Sequence, residues 1–172
     1  VSHYTGNSYA DVTAACNDKP NPIVYWTNSD SVFVFANAAT ALPLSEFGRP
    51  VPFDPGRCYT DPNHDSALYV LNRAIPSKIS YCTNLFNPGT AWTVIPVSLL
   101  TGVTIQCMAL YPGNDQIILV GSKEGGLYVT LDKGLTWTKE IDMPNVQIRE
   151  IKIRESDKKV FIFTFGRGTW TA

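Results

Sequence analysis

Long apolar runs, paired cysteines and blocks of like charge are all missing from this sequence. No stretch approaches the ~20 apolar residues that a membrane-crossing helix needs, so no membrane insertion is expected. Fourteen Lys and Arg stand against fifteen Asp and Glu, a net charge of −1. No cationic run could neutralise a row of phosphates, so nucleic acid is not expected as a partner. The densest basic group, Arg149 to Lys159, is interleaved with Glu150, Glu155 and Asp157 and reads as a solvated strand face. Only two histidines are present, His3 and His64, and neither sits in a nucleophile or metal pattern. Cys16, Cys58, Cys82 and Cys107 include no CxxC pair, which argues against a zinc site. They read as small buried hydrophobes on strands, with three disulfide pairings open to them in principle. No Gly-x-Ser-x-Gly elbow and no P-loop is found. Gly166-Arg167-Gly168 reads as a tight turn, because no helix follows it to make a phosphate site. No metal, cofactor or catalytic residue is therefore expected. Asn-x-Ser/Thr is also missing, which disfavours a heavily glycosylated ectodomain. The chain begins at Val1 rather than Met, as expected of a processed chain or a piece of a longer one.

Against these absences, 44% of residues are hydrophobic and 17% charged, the balance of a folded domain and not of a disordered chain. An internal repeat is the strongest positive signal. Three segments align: Val34 to Leu42, Asn84 to Trp92 and Val129 to Trp137. In each, Asn or Asp is followed two residues later by Gly or Ala, and five residues later by Trp or Leu. The third copy, Thr130-Leu131-Asp132-Lys133-Gly134-Leu135-Thr136-Trp137, is the best formed. The second keeps Asn87, Gly89 and Trp92. Asp or Asn holds such a turn by accepting from backbone amides just ahead. Gly tolerates positive φ, and Trp lays a large apolar ring over the strand that follows.

Short β-branched and aromatic runs surround each copy, bounded by Gly, Asn, Asp and Pro. Examples are Ala67-Leu68-Tyr69-Val70-Leu71, Gln116-Ile117-Ile118-Leu119-Val120 and Lys159-Val160-Phe161-Ile162-Phe163-Thr164. A further strand is expected upstream of each pair, at 11–16, 56–60, 104–110 and 147–154. No apolar period of 3.6 is sustained, so helix should be scarce. The mean repeat of roughly 47.5 residues fits about 3.6 units into the chain.

The repeat resembles the BNR/Asp-box β-propellers, most closely over 116–141, while 163–170 resembles the closing segment of a final blade. The fold expected is all-β: one propeller domain, or a fragment of one, spanning 1–172. Its antiparallel four-stranded blades would occupy 6–49, 50–98, 99–144 and 145–172, with 1–5 adding the outer strand of the last and closing the ring. Under this resemblance Thr130, Asp132, Gly134, Trp137, Asn87, Gly89 and Trp92 are framework. Trp26, Trp170 and Arg73 are left as a candidate binding surface.

Propellers carry many functions, so fold alone does not choose one. The reading adopted is a non-catalytic module that binds protein partners or copies of itself in a larger assembly, such as a virion or a surface complex. The virion setting comes from the resemblance alone. One alternative is a lectin-like module holding glycan between aromatic and amide side chains. A second is a sialidase-like hydrolase using Arg57, Arg73 and Arg167, since Arg73-Ala74-Ile75-Pro76 loosely resembles the Arg-Ile-Pro element of sialidases.

Overall fold

The computed structural model describes residues 15–16, 24–27, 31–36, 45–52, 56–98 and 100–172. Among them are fifteen strands and no helix. β1 (Ala15–Cys16), β2 (Val24–Thr27), β3 (Ser31–Ala36) and β4 (Ser45–Pro50) make the first sheet. The second holds β5 (Arg57–Thr60), β6 (Leu68–Asn72), β7 (Lys78–Cys82) and β8 (Thr93–Ile95). The third holds β9 (Ile105–Leu110), β10 (Ile118–Ser122), β11 (Leu127–Thr130) and β12 (Thr138–Lys139). The fourth holds β13 (Ile148–Ile153), β14 (Val160–Thr164) and β15 (Thr169–Thr171). In every sheet each strand pairs antiparallel with the next one in the chain.

The strands largely fall where alternation and turn residues put them. β10 begins at Ile118, two residues later than the apolar run, because Gln116 and Ile117 belong to the turn before it. Ile117 N donates to Asn114 O at 3.3 Å and Tyr111 N to Ile117 O at 3.1 Å. The first expected turn copy, around Asn37, and the ring-closing segment 1–5 lie outside the described residues.

Both faces of a sheet are apolar because each packs on a neighbour. Tyr25, Val32 and Val34 of the first sheet meet Cys58, Leu68, Val70 and Cys82 of the second. The other face of the second sheet, with Tyr69, Leu71 and Ile79, meets Ile105, Met108, Ile118 and Val120 of the third. Cys107, Ala109 and Leu119 then cover Ile148, Ile151 and Ile162 of the fourth. Each fully buried Leu, Ile or Val contributes about 1.5–3 kcal/mol, so these contacts hold the stack. The first strands lie innermost: β5 packs beside β1, and β13 beside β9. Arg57 of β5 even reaches Glu150 of β13 at 3.0 Å, passing over the third sheet, so both strands border a common axis.

The third and fourth sheets approach closely at Gly121. A Cβ there would stand 2.5 Å from Ile148 Cγ2 and 2.9 Å from Cys107 Sγ. The β9–β10 and β13–β14 ladders both shift register beside this contact. Gly121→Ala is therefore expected to lower stability by about 1–3 kcal/mol through overpacking, read from the denaturant midpoint.

Cys58, Cys82 and Cys107 are buried. Burial pushes the thiols of Cys58 and Cys107 up to about 12. Because the folded state favours the neutral thiol, this contribution is full below the ordinary value of 9.0 and is lost as pH rises towards 12. Cys58 and Cys107 should resist a thiol reagent near neutral pH until the chain is denatured. Prompt labelling of either in the native protein would contradict their burial.

Candidate functional site

The β11–β12 turn is held almost entirely by two side chains. Thr130 Oγ1 accepts from Gly134 N at 2.8 Å and donates to Asp132 Oδ1 at 2.7 Å. Asp132 accepts from Thr136 N at 2.8 Å and Thr136 Oγ1 at 2.5 Å. Those bonds, led by the Thr136 hydroxyl, hold the Asp132 carboxyl below its ordinary 3.8. Gly134 has φ +93°, and a Cβ on it would collide with Ile95 and with Pro96 O at the edge of the second sheet. Trp137 then donates its indole N–H to that same Pro96 O at 2.9 Å.

The β7–β8 turn ends in the same way: Trp92 Nε1 donates to Pro50 O of the first sheet at 2.8 Å. Counting back from the tryptophan, Asn87 answers to Asp132. Counting forward from the paired strands gives a different match. Cys82 pairs with Leu68 as Thr130 pairs with Ile118, which sets Asn84 against Asp132. The second turn is three residues longer, and both asparagines work in it. Asn84 Oδ1 accepts from Phe86 N, and Asn87 Oδ1 from Gly89 N, each at 3.0 Å.

One end of the stack is formed by these turns and by the β5–β6 and β9–β10 turns. There Asn63 bridges two sheets, donating to Tyr111 O at 3.2 Å and accepting from Gly113 N at 2.5 Å. Lys133 Nζ sits 2.9 Å from Asp115 Oδ2 and 4.2 Å from the centre of the Tyr81 ring, which stacks on Tyr69. His64 Nδ1 lies 3.1 Å from Asp61 Oδ2. Among the described residues no group of three or more His, Cys, Asp or Glu is placed to hold a metal.

The opposite end, here the connector end, gathers the β6–β7, β10–β11 and β14–β15 turns with the β8–β9 and β12–β13 links. Lys123 N donates to Thr104 O at 2.9 Å, Gly126 N to Val146 O at 3.2 Å and Phe165 N to Gln147 O at 2.9 Å. Three large apolar side chains stand out on these segments: Ile75 (79% exposed), Ile141 (87%) and Phe165 (63%). A cavity of about 220 Å³ opens between the β6–β7 turn and the β8–β9 link, lined by Ile75, Val97, Leu100, Val103 and others. Arg73 and Lys78 border that turn. Glu124 is engaged by Thr104, through its amide at 2.7 Å and its hydroxyl at 2.5 Å.

The structure does not gather the three residues of the expected binding surface into one sheet. Trp26 lies in β2, Arg73 in the β6–β7 turn and Trp170 in β15, exposed and opposite Ile162. Of the three arginines in the hydrolase alternative, Arg57 is paired with Glu150, while Arg73 and Arg167 lie in turns of different sheets. The cavity was not legible in the sequence. Its walls are 20 or more residues apart in places, and the one hint was the apolar β8–β9 link, Val97 to Val103.

No family model matches the chain, and no curated protein matches it. Solved structures do. YCF48 from Cyanidioschyzon merolae aligns with 99% of this chain and 51% of its own, at 15% identity and a TM-score of 0.70. A structure of YCF48 bound to D1 peptide aligns with 91% of this chain and 48% of its own, at 18% identity and 0.61. The GH74 enzyme of Niastella koreensis aligns with 83% and 24%, at 17% identity and 0.58. This chain has the β-propeller fold. It spans about half the length of the YCF48 structures, so its sheets are a partial blade count beside those rings. The neighbours include both enzymes and non-enzymatic propellers, and the likeness is one of fold.

The tryptophan contacts between blades can be weighed singly. Trp92→Phe and Trp137→Phe each keep a ring and lose one hydrogen bond, an expected loss of about 1 kcal/mol. Their different blades should make the losses additive within about 0.5 kcal/mol in chemical denaturation. Asp132 binds its proton less well folded than unfolded. Its contribution is thus complete above 3.8 and disappears as pH falls through the lower folded value. Asp132→Asn should lower the thermal midpoint at neutral pH, and the difference should close in acid.

Proposed function

We propose that this chain is a non-catalytic propeller module that docks a protein partner on its connector end, within a larger assembly such as a virion or a surface complex. The observation that carries this is the exposure of Ile75, Ile141 and Phe165 on segments at the same end as an apolar cavity, which Ile75 lines. Exposed apolar groups that share a face mark interaction sites more than isolated ones do. Phe86, Leu131 and Leu135 are exposed at the other end, but they lie in turns whose polar groups are spent on the turns' own geometry. The scaffold is compatible with peptide docking, since one structural neighbour, YCF48, is seen with a bound peptide.

Two features weigh against catalysis. Arg57, the most central of the arginines considered for carboxylate binding, is already neutralised by Glu150. Asp132, the most tempting acid, is saturated by Thr130 and Thr136. The glycan reading is weakened because Trp92 and Trp137 spend their indole N–H groups inside the framework.

A photo-reactive amino acid placed at Ile75, Ile141 or Phe165 in the native setting should cross-link a discrete protein partner. The same group at Leu131 or Leu135 should not. Adducts confined to the latter pair would move the docking surface to the other end. Turnover of a fluorogenic sialoside by the unsubstituted chain would replace the whole reading with the hydrolase.

A further inference from the structure

We propose that the far face of the fourth sheet is an interface for the first sheet of a second copy of this chain, so that two copies join head to tail in one closed ring. This contact lies apart from the connector end and does not depend on the docking reading above.

The repeat itself marks that face as one to be covered. Alternation sends successive side chains of a strand to opposite faces. In the middle strands, Leu68, Ile118 and Val160 face the sheet before their own, so Tyr69, Leu119 and Phe161 hold equivalent positions facing the sheet after. Leu71, Gly121 and Phe163 are the next such set, two residues on. Tyr69, Leu71 and Leu119 are buried, and Gly121 lies against Ile148 of the following sheet. Phe161 is only half-buried, and Phe163 is 40% exposed. Two phenylalanines on one face thus stand where the two preceding sheets are sealed by a further sheet.

The rim around them is polar and already neutralised. In the register of the sheet, Lys152 and Thr171 flank Phe161, while Glu150 and Thr169 flank Phe163. Glu150 is paired with Arg57 at 3.0 Å and with Lys152 at 3.2 Å, so closing the face buries no unpaired carboxylate. An aromatic centre inside a polar rim is the anatomy of an interface between separately folded partners.

The occupant follows from what the equivalent faces meet. The forward faces of the second and third sheets each pack on the backward face of the next sheet. Among the described residues no core cluster joins the fourth sheet to the first. The first sheet has a backward face: Val32 and Val34 are buried against the second sheet, which puts Phe33, half-buried, on the opposite side. A chain with a forward face on one end sheet and a backward face on the other can pair with its copy through two identical contacts about a two-fold axis. Two copies bring twice the four sheets of one, and rings of up to about eight blades are common. The chain aligns with 51% and 48% of the two YCF48 chains, which agrees with about two such chains filling a ring.

The native mass of the chain in solution tests the pairing, and a dimer is expected. Phe163→Asp and Phe33→Asp should each weaken association about tenfold or more, since each variant's own dimer holds two impaired contacts. An equimolar mixture of the two should associate more tightly than either alone, because one of its two contacts is then unsubstituted. Leu131→Asp, at the turn end, should leave the mass as it is. Thermal unfolding of the diluted variants separates lost pairing from lost fold, and Phe163→Ser serves if the aspartate prevents folding. A monomer at every concentration up to the solubility limit overturns the proposal. So does a dimer that Phe163→Asp and Phe33→Asp leave intact, or a mixture that pairs no better than the single variants. Cross-links at the connector end are a separate result, so failure of either reading leaves the other standing.

Discussion

Two indole N–H groups join successive blades of this propeller. Trp92 reaches Pro50 O, and Trp137 reaches Pro96 O, each from the turn of one blade to the outer edge of the blade before it. A blade with apolar residues on both faces cannot satisfy them alone, so face-to-face packing supplies most of the stabilisation. That packing is not directional, however. The tryptophans add direction, because a large ring lies over the interface and its one polar atom has a single acceptor within reach. Gly134 belongs to the same device, since any Cβ would hold the turn away from Ile95 and Pro96.

This demand explains why several polar residues of the turns are engaged in the framework. Asp132, Thr130 and Thr136 saturate one another. Lys133 is wedged between Asp115 and the Tyr81 ring of the preceding blade. The matching place in the second blade holds Leu85, fully buried against the first. A lysine and a leucine solve the same packing problem, one with a carboxylate and an aromatic face, the other by exclusion of water. Variation of that kind is why the repeat decays in sequence while the blades stay alike.

The repeat does not prescribe the two ends alike. The turn end is knitted together by Asn63 and Lys133. At the connector end Ile75, Ile141 and Phe165 stand in solvent on segments whose composition differs from blade to blade. A rigid stack carrying variable segments at one end is a common way to build a recognition surface.

Strand identity was legible in the chain because alternation and turn residues are local properties. The β-branched runs around Leu68, Ile118 and Val160 lie on strands, and Gly134 and Trp137 sit where a tight turn needs them. The register of the longer turn was not legible. Only the cross-strand partner of Cys82 shows that Asn84 shares the role of Asn87. Nor could the chain alone reveal the Arg57–Glu150 pair, the wedge at Lys133 or the cavity beside Ile75. Local sequence determines which way a side chain points from its own strand. What it meets there depends on how sheets some 50 residues apart settle against one another. That is decided by volume, twist and the reach of two tryptophans.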